Sequence, residues 1–327
     1  MTPLLALDWG TSSLRGALLD AHGEVLQARH FPRGILTVPA GGFEDVFDAC
    51  FGDWMTPDTL CLITGMAGSR QGWLEAPYCA CPAGFTDVAA RLSWLPWLKP
   101  GRIAIVPGLC TEDGGVPDVM RGEETQIFGA LSLLGLQDGR LVLPGTHSKW
   151  ARVTGGRVSG FSTWMTGEFY ALLSRHSILA SSLAEPEDAP LHADAFRRGV
   201  AAAAEGAGLL HSAFSVRTLQ LFGRMPSAHL PSWLSGLLIG EELKAQNLSP
   251  GSEVVVVGSE VLTARYSLAL EQLGVKATPI GPAATWRGLR ALADSIHQDL
   301  ALPGAPDAAP RRSSPLAHEP DLSADTP

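Results

Sequence analysis

Two stretches of the chain share one pattern, three short apolar runs separated by turns rich in Gly, Ser, Thr and Asp. Apolar runs of this length, broken by such turns, are typical of β-strands joined as hairpins. The predicted strands are Leu4–Leu7, Leu14–Leu19 and Val25–Ala28 in the first stretch, and Leu141–Leu143, Trp150–Val153 and Val158–Phe161 in the second. A unit of three strands is therefore expected twice.

The first turn of each unit carries the same residues, Gly-Thr-x-Ser, at Gly10–Ser13 and again at Gly145–Ser148. The two copies lie 135 residues apart in the chain. Similarity at a fixed distance along a sequence indicates a duplicated structural unit. We predict two lobes built on the same core, with one Gly-Thr loop in each.

Longer segments with apolar residues at helical spacing lie between and after these units. The predicted helices are Glu44–Trp54, Glu123–Leu134, Gly167–Leu179, Ala193–Leu210, Pro231–Asn247, Val261–Leu273 and Ala283–Ile296. Val254–Val257 is an uninterrupted apolar run followed by Gly258 and Ser259, which is typical of a buried parallel strand that leads into a helix. Strands that alternate with helices predict an α/β fold.

The length of 327 residues exceeds what one hydrophobic core usually covers, so two lobes are expected. We predict an N-terminal lobe over 1–135, a C-terminal lobe over 136–298 and a tail over 299–327. Residues 301–327 contain six prolines and no aromatic residue. Such a segment buries too little apolar surface to offset the entropy of ordering, which predicts a disordered tail.

Composition narrows the class of protein. With 24 Lys and Arg against 33 Asp and Glu the net charge is −9, and no basic cluster occurs, which argues against a nucleic-acid partner. No run reaches the roughly 20 apolar residues of a membrane helix, and the N-terminus lacks the pattern of a signal peptide. A cytoplasmic protein without membrane contact is predicted, and the sequence leaves its oligomeric state open, with a homodimer among the alternatives.

The five cysteines are irregularly spaced and odd in number, which fits reduced thiols better than disulfides. Cys79 and Cys81 form a Cys-x-Cys pair, but no second pair or histidine cluster accompanies it. A metal site at this pair is therefore the weaker interpretation.

The loop that begins at Asp8 combines a carboxylate at a strand end with Gly10, Thr11, Ser12 and Ser13. Glycine permits close approach of a phosphate, hydroxyl groups donate hydrogen bonds, and a carboxylate holds Mg²⁺ or its water. A single loop of this kind is more often an ordinary hairpin turn. A second such loop, Gly145–Ser148 with Lys149 beside it, favours phosphate binding instead, since two facing loops can bind a triphosphate from both sides.

Familiar nucleotide and hydrolase motifs are missing. The chain contains neither G-x-x-x-x-G-K-[ST] nor a G-x-G-x-x-G after a strand, so ATP would have to bind without a P-loop or a dinucleotide fingerprint. His147 and Ser148 are adjacent, but no G-x-S-x-G motif supports serine hydrolysis.

Two glutamates, Glu123 and Glu124, open a predicted helix after Asp118. Carboxylates at this place stabilise a helix through its dipole, so a structural first turn is one interpretation. The other is a catalytic base that accepts a hydroxyl proton during phosphoryl transfer. The spacing of these residues does not favour either interpretation.

The stretch from Gly65 to Tyr78 mixes glycines with Arg70, Gln71, Trp73 and Glu75. This composition suits a polyol or sugar acid, because an aromatic ring packs on a sugar face and Arg pairs with a carboxylate. Alternatively, Trp73 and Tyr78 simply anchor the loop. A similar stretch ends the second lobe's last hairpin strand and contains Trp164, Thr166 and Glu168.

Taken together, these motifs resemble the 2-keto-3-deoxygalactonate kinase (2-dehydro-3-deoxygalactonokinase) family of the actin-like superfamily, from Leu4 to about Ile296. The matching stretches are DWGTSSLRG from Asp8, GMAGSRQGWLEAPY from Gly65, DVMRGEETQ from Asp118, PGTHSKW from Pro144, WMTGEFYALLSRHSIL from Trp164 and LSGLLIGEE from Leu234. The resemblance implies a two-lobed actin-like (RNase H-like) fold with a duplicated ββαβ-type core and a central cleft. It also implies ATP-dependent phosphorylation of the terminal (C6) hydroxyl of 2-keto-3-deoxygalactonate in galactonate breakdown.

Residue roles follow from the same resemblance. Asp8, Gly10 and Thr11 would form the first phosphate loop, Gly145, Thr146 and His147 the second, and Gly258 and Ser259 the adenosine-binding turn. Ser12, Ser148 and Lys149 complete the predicted nucleotide site, and Asp8 would also hold Mg²⁺. The predicted sugar-acid contacts are Arg70, Gln71 and Trp73, with Arg15 as a less favoured partner of the carboxylate and with Trp164, Thr166 and Glu168.

The base is implied to be Glu123 or Glu124, with Asp118 as a third candidate. Related kinases commonly use Asp at this position, so the two glutamates are a departure, as is Pro144 in the second loop. Alternatives to the predicted kinase are a related sugar-acid kinase, a phosphohydrolase of the same superfamily, and a non-catalytic nucleotide- or sugar-binding regulator.

Overall fold

The computed structural model describes residues 4–183 and 190–301, with side chains up to 296. Its strands are β1 (Leu4–Trp9), β2 (Leu14–Leu19), β3 (Val25–Phe31), β4 (Leu60–Gly65), β5 (Cys79–Ala80), β6 (Ser93–Trp94), β7 (Arg102–Ile105), β8 (Leu109–Asp113), β9 (Val116–Met120), β10 (Gly139–Leu143), β11 (Ser148–Thr154), β12 (Arg157–Trp164), β13 (Glu253–Val257) and β14 (Lys276–Ile280). The α-helices are α1 (Phe43–Phe51), α2 (Phe85–Ala89), α3 (Glu123–Leu134), α4 (Thr166–His176), α5 (Ala193–Glu205), α6 (Leu209–Ser212), α7 (Ser215–Leu221), α8 (Leu230–Lys244), α9 (Glu260–Gln272) and α10 (Ala283–Ala301).

The two main sheets have the same topology. The first has the order β3-β2-β1-β4-β7-β6 and the second the order β12-β11-β10-β13-β14. In each, two antiparallel pairings join the first three strands, and two parallel pairings add the next two. The predicted duplication and α/β class are therefore confirmed, and the two Gly-Thr loops occupy equivalent turns, β1–β2 and β10–β11.

Helices α3 and α10 pack closely against each other, and the core around them joins the two sheets. One continuous set of buried apolar residues includes Leu4 and Leu62 of the first sheet and Leu141 and Val255 of the second. Gly129 of α3 faces the backbone of α10 so closely that a Cβ would overlap it. This contact fixes the axis of α3, and thereby the place where its N-terminal glutamates lie.

A third sheet, β5-β8-β9, was not predicted. Its hairpin β8–β9 turns at Gly114 and Gly115, both at positive φ, and its short strands lack the strict apolar–polar alternation that marks a strand in sequence. Asp118 of β9 accepts hydrogen bonds from the backbone N–H of Thr163, at 2.7 Å, and from its hydroxyl, at 2.5 Å. The small sheet thus connects the segment before α3 to β12 of the second sheet.

Most predicted elements occur, with shifted ends. The predicted helix over Gly167–Leu179 ends at His176 and continues as a 3-10 turn, and the one over Ala193–Leu210 ends at Glu205. Helix α10 extends through 299–301, where the predicted tail begins, and the rest of that tail lies outside the described residues. Although α10 follows the second sheet in sequence, it also contacts β1 of the first. No helix in the described ranges is long and apolar enough to cross a membrane.

Candidate active site

The first loop presents a carboxylate and two hydroxyl groups at the end of β1. Asp8 forms an ion pair with Arg15 of β2, while Thr11 and Ser12 are exposed at the turn. Gly10 donates its backbone N–H to the Ser13 carbonyl at 2.9 Å, which closes the turn. The exposed hydroxyls and the Asp8 carboxylate therefore lie at the same turn, and their role in binding phosphate and metal remains a prediction.

The second loop is covered by the N-terminus of α4. Gly167 packs against the loop so closely that a Cβ would lie 2.9 Å from the Cα of Thr146, and the Glu168 N–H donates to the Thr146 carbonyl at 3.0 Å. His147 Nε2 and Glu168 Oε2 are 2.5 Å apart. Thr146 and His147 are exposed, so this loop, like the first, offers a ligand its outer face.

Ser148 does not face a ligand, although it belongs to the Gly-Thr-x-Ser pattern. Its side chain is fully buried, and its hydroxyl donates to Glu242 at 2.8 Å. Thr166, predicted to contact the sugar acid, also donates its hydroxyl to Glu242. Both residues were expected to touch ligands, and the structure places their hydroxyls beneath the second loop instead.

Two glycines bring the start of α3 next to Asp8. Gly65 has a φ of 91°, and a Cβ there would lie 3.2 Å from Asp8 Oδ1. Gly122, with a φ of 107°, lies against Gly65, since a Cβ on it would be 3.3 Å from the Gly65 Cα. These positive φ values favour glycine. The close backbone contact places Glu123, the next residue, beside the first phosphate loop.

The environments of Glu123 and Glu124 differ. Glu124 is fully buried, accepts hydrogen bonds from Thr64 Oγ1 at 3.0 Å and the Gly122 N–H at 2.6 Å, and has its pKa raised to about 8, chiefly by burial and then by the charge of Glu123. Glu123 keeps part of its surface exposed. Burial also raises the pKa of Glu123, the positive charge of Lys149 lowers it, and the negative charge of Asp8 raises it further. Glu123 thus lies within electrostatic range of both predicted nucleotide loops.

Lys149 carries a buried positive charge between the lobes. Its side chain is 6% exposed, and its Nζ donates to the Val119 carbonyl at 3.0 Å and to Thr163 Oγ1 at 2.8 Å. Among the described residues no carboxylate lies within ion-pair distance of this ammonium group. A buried cation held only by neutral oxygens is well placed to receive an anion from a ligand.

The predicted adenosine-binding turn lies next to the second loop. Gly258 and Ser259 follow β13, and a Cβ on Gly258 would approach Pro144 at 3.8 Å. The Gly258 N–H donates to the Ile280 carbonyl at 3.0 Å, which holds the turn at the edge formed by β13 and β14. The second loop and this turn therefore lie side by side.

Comparison with known proteins matches this arrangement to one family. The family model described as 2-keto-3-deoxy-galactonokinase matches residues 8–292, which is most of the chain. The chain belongs to this family.

Individual relatives agree with the family. A Rhizobium meliloti (strain 1021) protein assigned as a 2-dehydro-3-deoxygalactonokinase is 40% identical over 89% of this chain and 96% of its own length. The 2-dehydro-3-deoxygalactonokinase of Escherichia coli (strain K12) is 32% identical over 89% of this chain and 98% of its own. A crystal structure assigned to a 2-dehydro-3-deoxygalactonokinase protein from Sinorhizobium meliloti superposes with a TM-score of 0.83 at 36% identity, covering 91% of this chain and all of that one.

Membership of the galactonokinase family, together with the topology of the two sheets, establishes the two-lobed actin-like fold that the sequence predicted. Both Gly-Thr loops and the glutamates at the start of α3 fall inside the matched range. The roles of individual residues rest on their geometry, and they remain predictions.

The predicted sugar-acid stretch divides into an anchored and an exposed part. The Trp73 ring packs among other aromatic rings, with centroids 5.5 Å from Phe47, 6.0 Å from Trp9 and 6.3 Å from Trp97. Arg70 is exposed and approaches Glu75 only at 3.7 Å, and Gln71 is also exposed. The structure therefore favours the anchoring role for Trp73, the alternative that the sequence left open.

Sequence reasoning missed Arg121, which connects this stretch to the glutamates. Its guanidinium donates to the Ala76 carbonyl at 2.7 Å and lies over the Tyr78 ring at 4.4 Å, while its backbone N–H donates to Glu123 Oε2 at 3.0 Å. The available signal in the sequence was its position directly before Gly122 and Glu123.

Sequence reasoning also missed Glu242. The available signal was an acidic residue within an otherwise apolar helical run.

The buried carboxyl of Glu124 predicts a measurable pH dependence of stability. Because its pKa in the folded chain is about 8 against an ordinary value of 4.5, the folded state keeps a proton over this range that the unfolded chain has lost. Unfolding free energy should therefore fall as pH rises from 4.5 to 8, by up to about 1.4 kcal/mol per pH unit. Glu124→Gln should lose less stability than the unchanged chain between pH 5.5 and pH 7.5, measured by urea unfolding.

The control for this measurement is Glu271→Gln, the same chemical change at a side chain that is 74% exposed. Equal pH slopes for the Glu124 variant and the unchanged chain would contradict the raised pKa.

Proposed function

We propose that the chain transfers the terminal phosphoryl group of Mg-ATP to the C6 hydroxyl of 2-keto-3-deoxygalactonate. The family match supports the reaction class, and the matched relatives carry the same assignment. The observation that carries the mechanism is the position of Glu123, a partly exposed carboxylate set beside the first loop by the contact between Gly65 and Gly122.

The two loops bind the triphosphate from opposite sides. Thr11, Ser12 and Thr146 are exposed at the turns and donate to phosphate oxygens together with nearby backbone N–H groups. Lys149 adds a positive charge between the loops and Glu123, where negative charge spreads over the transferred group. His147, held by Glu168, lies on the outer face of the second loop and contacts the nucleotide from there.

The residues present are compatible with a Mg²⁺ ion whose ligands come mainly from the nucleotide. No group of three or more His, Cys, Asp or Glu side chains suited to a metal occurs in the ranges that the structure covers. Mg²⁺ in kinases commonly takes one or two carboxylates with phosphate oxygens and water, so Asp8 alone is sufficient on the protein side. The ion supplies neutralisation of phosphate charge, and Arg15 fixes the Asp8 carboxylate through their ion pair.

Glu123 accepts the proton of the sugar hydroxyl as the phosphoryl group is transferred. A carboxylate whose pKa is raised is a stronger base toward that proton than an ordinary surface glutamate. Glu124 is fully buried behind it, and Asp118 is engaged by Thr163. Of the three candidates from sequence, Glu123 is therefore the one we propose as base.

Arg70 binds the carboxylate of the sugar acid in this proposal. Its guanidinium is 88% exposed and held only by Glu75 at 3.7 Å, so a ligand can recruit it with little loss of existing contacts. Arg15 remains the alternative, but it is already paired with Asp8. Trp164 lies at the end of β12 with its indole N–H donating to Ser162 at 3.2 Å, and we propose it as a further contact of the sugar acid.

The test is release of ADP from Mg-ATP in a coupled assay with 2-keto-3-deoxygalactonate, 2-keto-3-deoxygluconate and neutral sugars. Turnover with the first acid should exceed that with the others by at least about tenfold, because a site built for a hydroxyl and a carboxylate rejects ligands that lack or misplace them. Phosphate release without any sugar would instead indicate a phosphohydrolase. Nucleotide binding without turnover across the panel would indicate a regulator.

A further inference from the structure

Beneath the second loop lies a buried carboxylate that forms no ion pair with any residue the structure describes. Glu242, near the end of α8, is 1% exposed; burial raises its pKa, and hydrogen bonds from Thr166, Tyr266, Trp150 and Ser148 lower it. Burying a carboxylate without a cation is costly unless its oxygens are well hydrogen-bonded. The elements that supply these hydrogen bonds therefore indicate the structural role of the carboxylate.

Four donors converge on Glu242. Trp150 Nε1 donates to Oε1 at 2.6 Å, whereas Ser148 Oγ at 2.8 Å, the Tyr266 hydroxyl at 2.7 Å and the Thr166 hydroxyl all donate to Oε2. The pKa of Tyr266 is raised well above its ordinary value, by burial and by the charge of Glu242, so this phenol stays protonated as a donor. Both oxygens of the carboxylate thus accept hydrogen bonds, and these four donors are all neutral.

These donors belong to the three elements that surround the second loop. Ser148 and Trp150 lie on β11, which leaves the loop; Thr166 opens α4, which covers the loop; Tyr266 lies on α9, which begins at the adenosine turn. Gly167, next to Thr166, makes the closest packing against Gly145 and Thr146. One carboxylate therefore sets the position of the loop, of its cover and of the adjoining helix relative to one another.

We propose that Glu242 is a positioning residue for nucleotide binding, acting through Ser148, Thr166 and Tyr266 on the loop Gly145–His147. The inference rests on the proposed function only in that the bound nucleotide is ATP. It assigns to Glu242 no contact with ATP or with the sugar acid. Loss of the carboxylate should displace the loop and the N-terminus of α4, and so weaken ATP binding while leaving the proposed carboxylate contact at Arg70, in the other lobe, unaffected.

The experiment compares Glu242→Gln with Glu241→Gln, the same chemical change on the neighbouring residue, which makes no hydrogen bond through its Oε1 among the described residues. Binding of Mg-ATP in the absence of sugar acid is measured by titration calorimetry, and KM for ATP and for the sugar acid by the coupled assay. Glu242→Gln should weaken ATP binding about tenfold, the scale seen when an outer hydrogen-bond partner of a bound group is removed. KM for the sugar acid should change less than about threefold, and Glu241→Gln should resemble the unchanged chain.

Tyr266→Phe removes one donor and retains the carboxylate, so it should shift ATP affinity in the same direction by a smaller factor. This variant also decides the proposal if Glu242→Gln fails to fold. A merely structural role would lower the active fraction and kcat without separating the two KM values.

Equal effects of Glu242→Gln on both KM values, or none on ATP affinity, would overturn the proposal. Because calorimetry needs no sugar acid, the effect of each variant on ATP affinity is measured even if the proposed substrate fails. Absence of ATP binding by the unchanged chain would overturn both proposals together.

Discussion

Glu123→Gln should lower kcat by about 10²–10⁴-fold, the usual contribution of a positioned general base. The substituted amide keeps the size of the side chain but cannot accept the hydroxyl proton. KM for ATP should change little, because the phosphate loops and Lys149 are untouched. The measurement is steady-state kinetics with both substrates varied, in the coupled ADP assay.

Glu124→Gln is the matched control for this experiment. It changes the next residue in the same way, but at a fully buried position whose carboxyl is held by Thr64 and the Gly122 N–H. Its kcat should fall by less than about tenfold, within the range of a small positional shift. A large loss in the Glu124 variant with normal turnover in the Glu123 variant would reverse the assignment, and normal turnover in both would favour Asp118 or no side-chain base.

Asp8→Asn should reduce turnover by about 10³-fold or more, because it removes the negative charge that we propose holds Mg²⁺ near the transferred phosphoryl. The amide also leaves Arg15 without its ion-pair partner, so an uncompensated positive charge remains beside the loop. The apparent affinity for Mg²⁺ should weaken along with kcat. Both quantities are obtained from activity measured over a range of Mg²⁺ concentrations at fixed ATP.

Asp53→Asn provides the comparison, since Asp53 also forms an ion pair, at 2.6 Å with Arg29, but is 63% exposed and lies outside the proposed site. It should retain normal kcat and Mg²⁺ dependence. Folding of each variant is checked by its thermal unfolding curve. A folded Asp8→Asn protein with normal turnover would remove Asp8 from the metal-binding role.

The sequence by itself determined the repeated strand order, the α/β class and the two Gly-Thr loops. These features depend on local patterns: the strands β1 and β10 are short apolar runs, and the loops contain the glycines and hydroxyls that tight turns require. The motif stretches also predicted the kinase family that the comparisons support. Even the start of α3 at Glu123 was predicted correctly, since it follows directly from Gly122 and an apolar periodic run.

Only the tertiary structure distinguished Glu123 from Glu124, which have the same chemistry and adjacent positions. Glu124 is buried and hydrogen-bonded to Thr64, 60 residues earlier in the chain, and the contact between Gly65 and Gly122 places Glu123 beside the first loop. In the same way, Ser148 matched the loop pattern but turns inward to Glu242, 94 residues away. Burial, and with it the charge state and accessibility of a side chain, is set by residues distant in sequence, so a local pattern predicts that a loop exists but not which of its side chains a ligand meets.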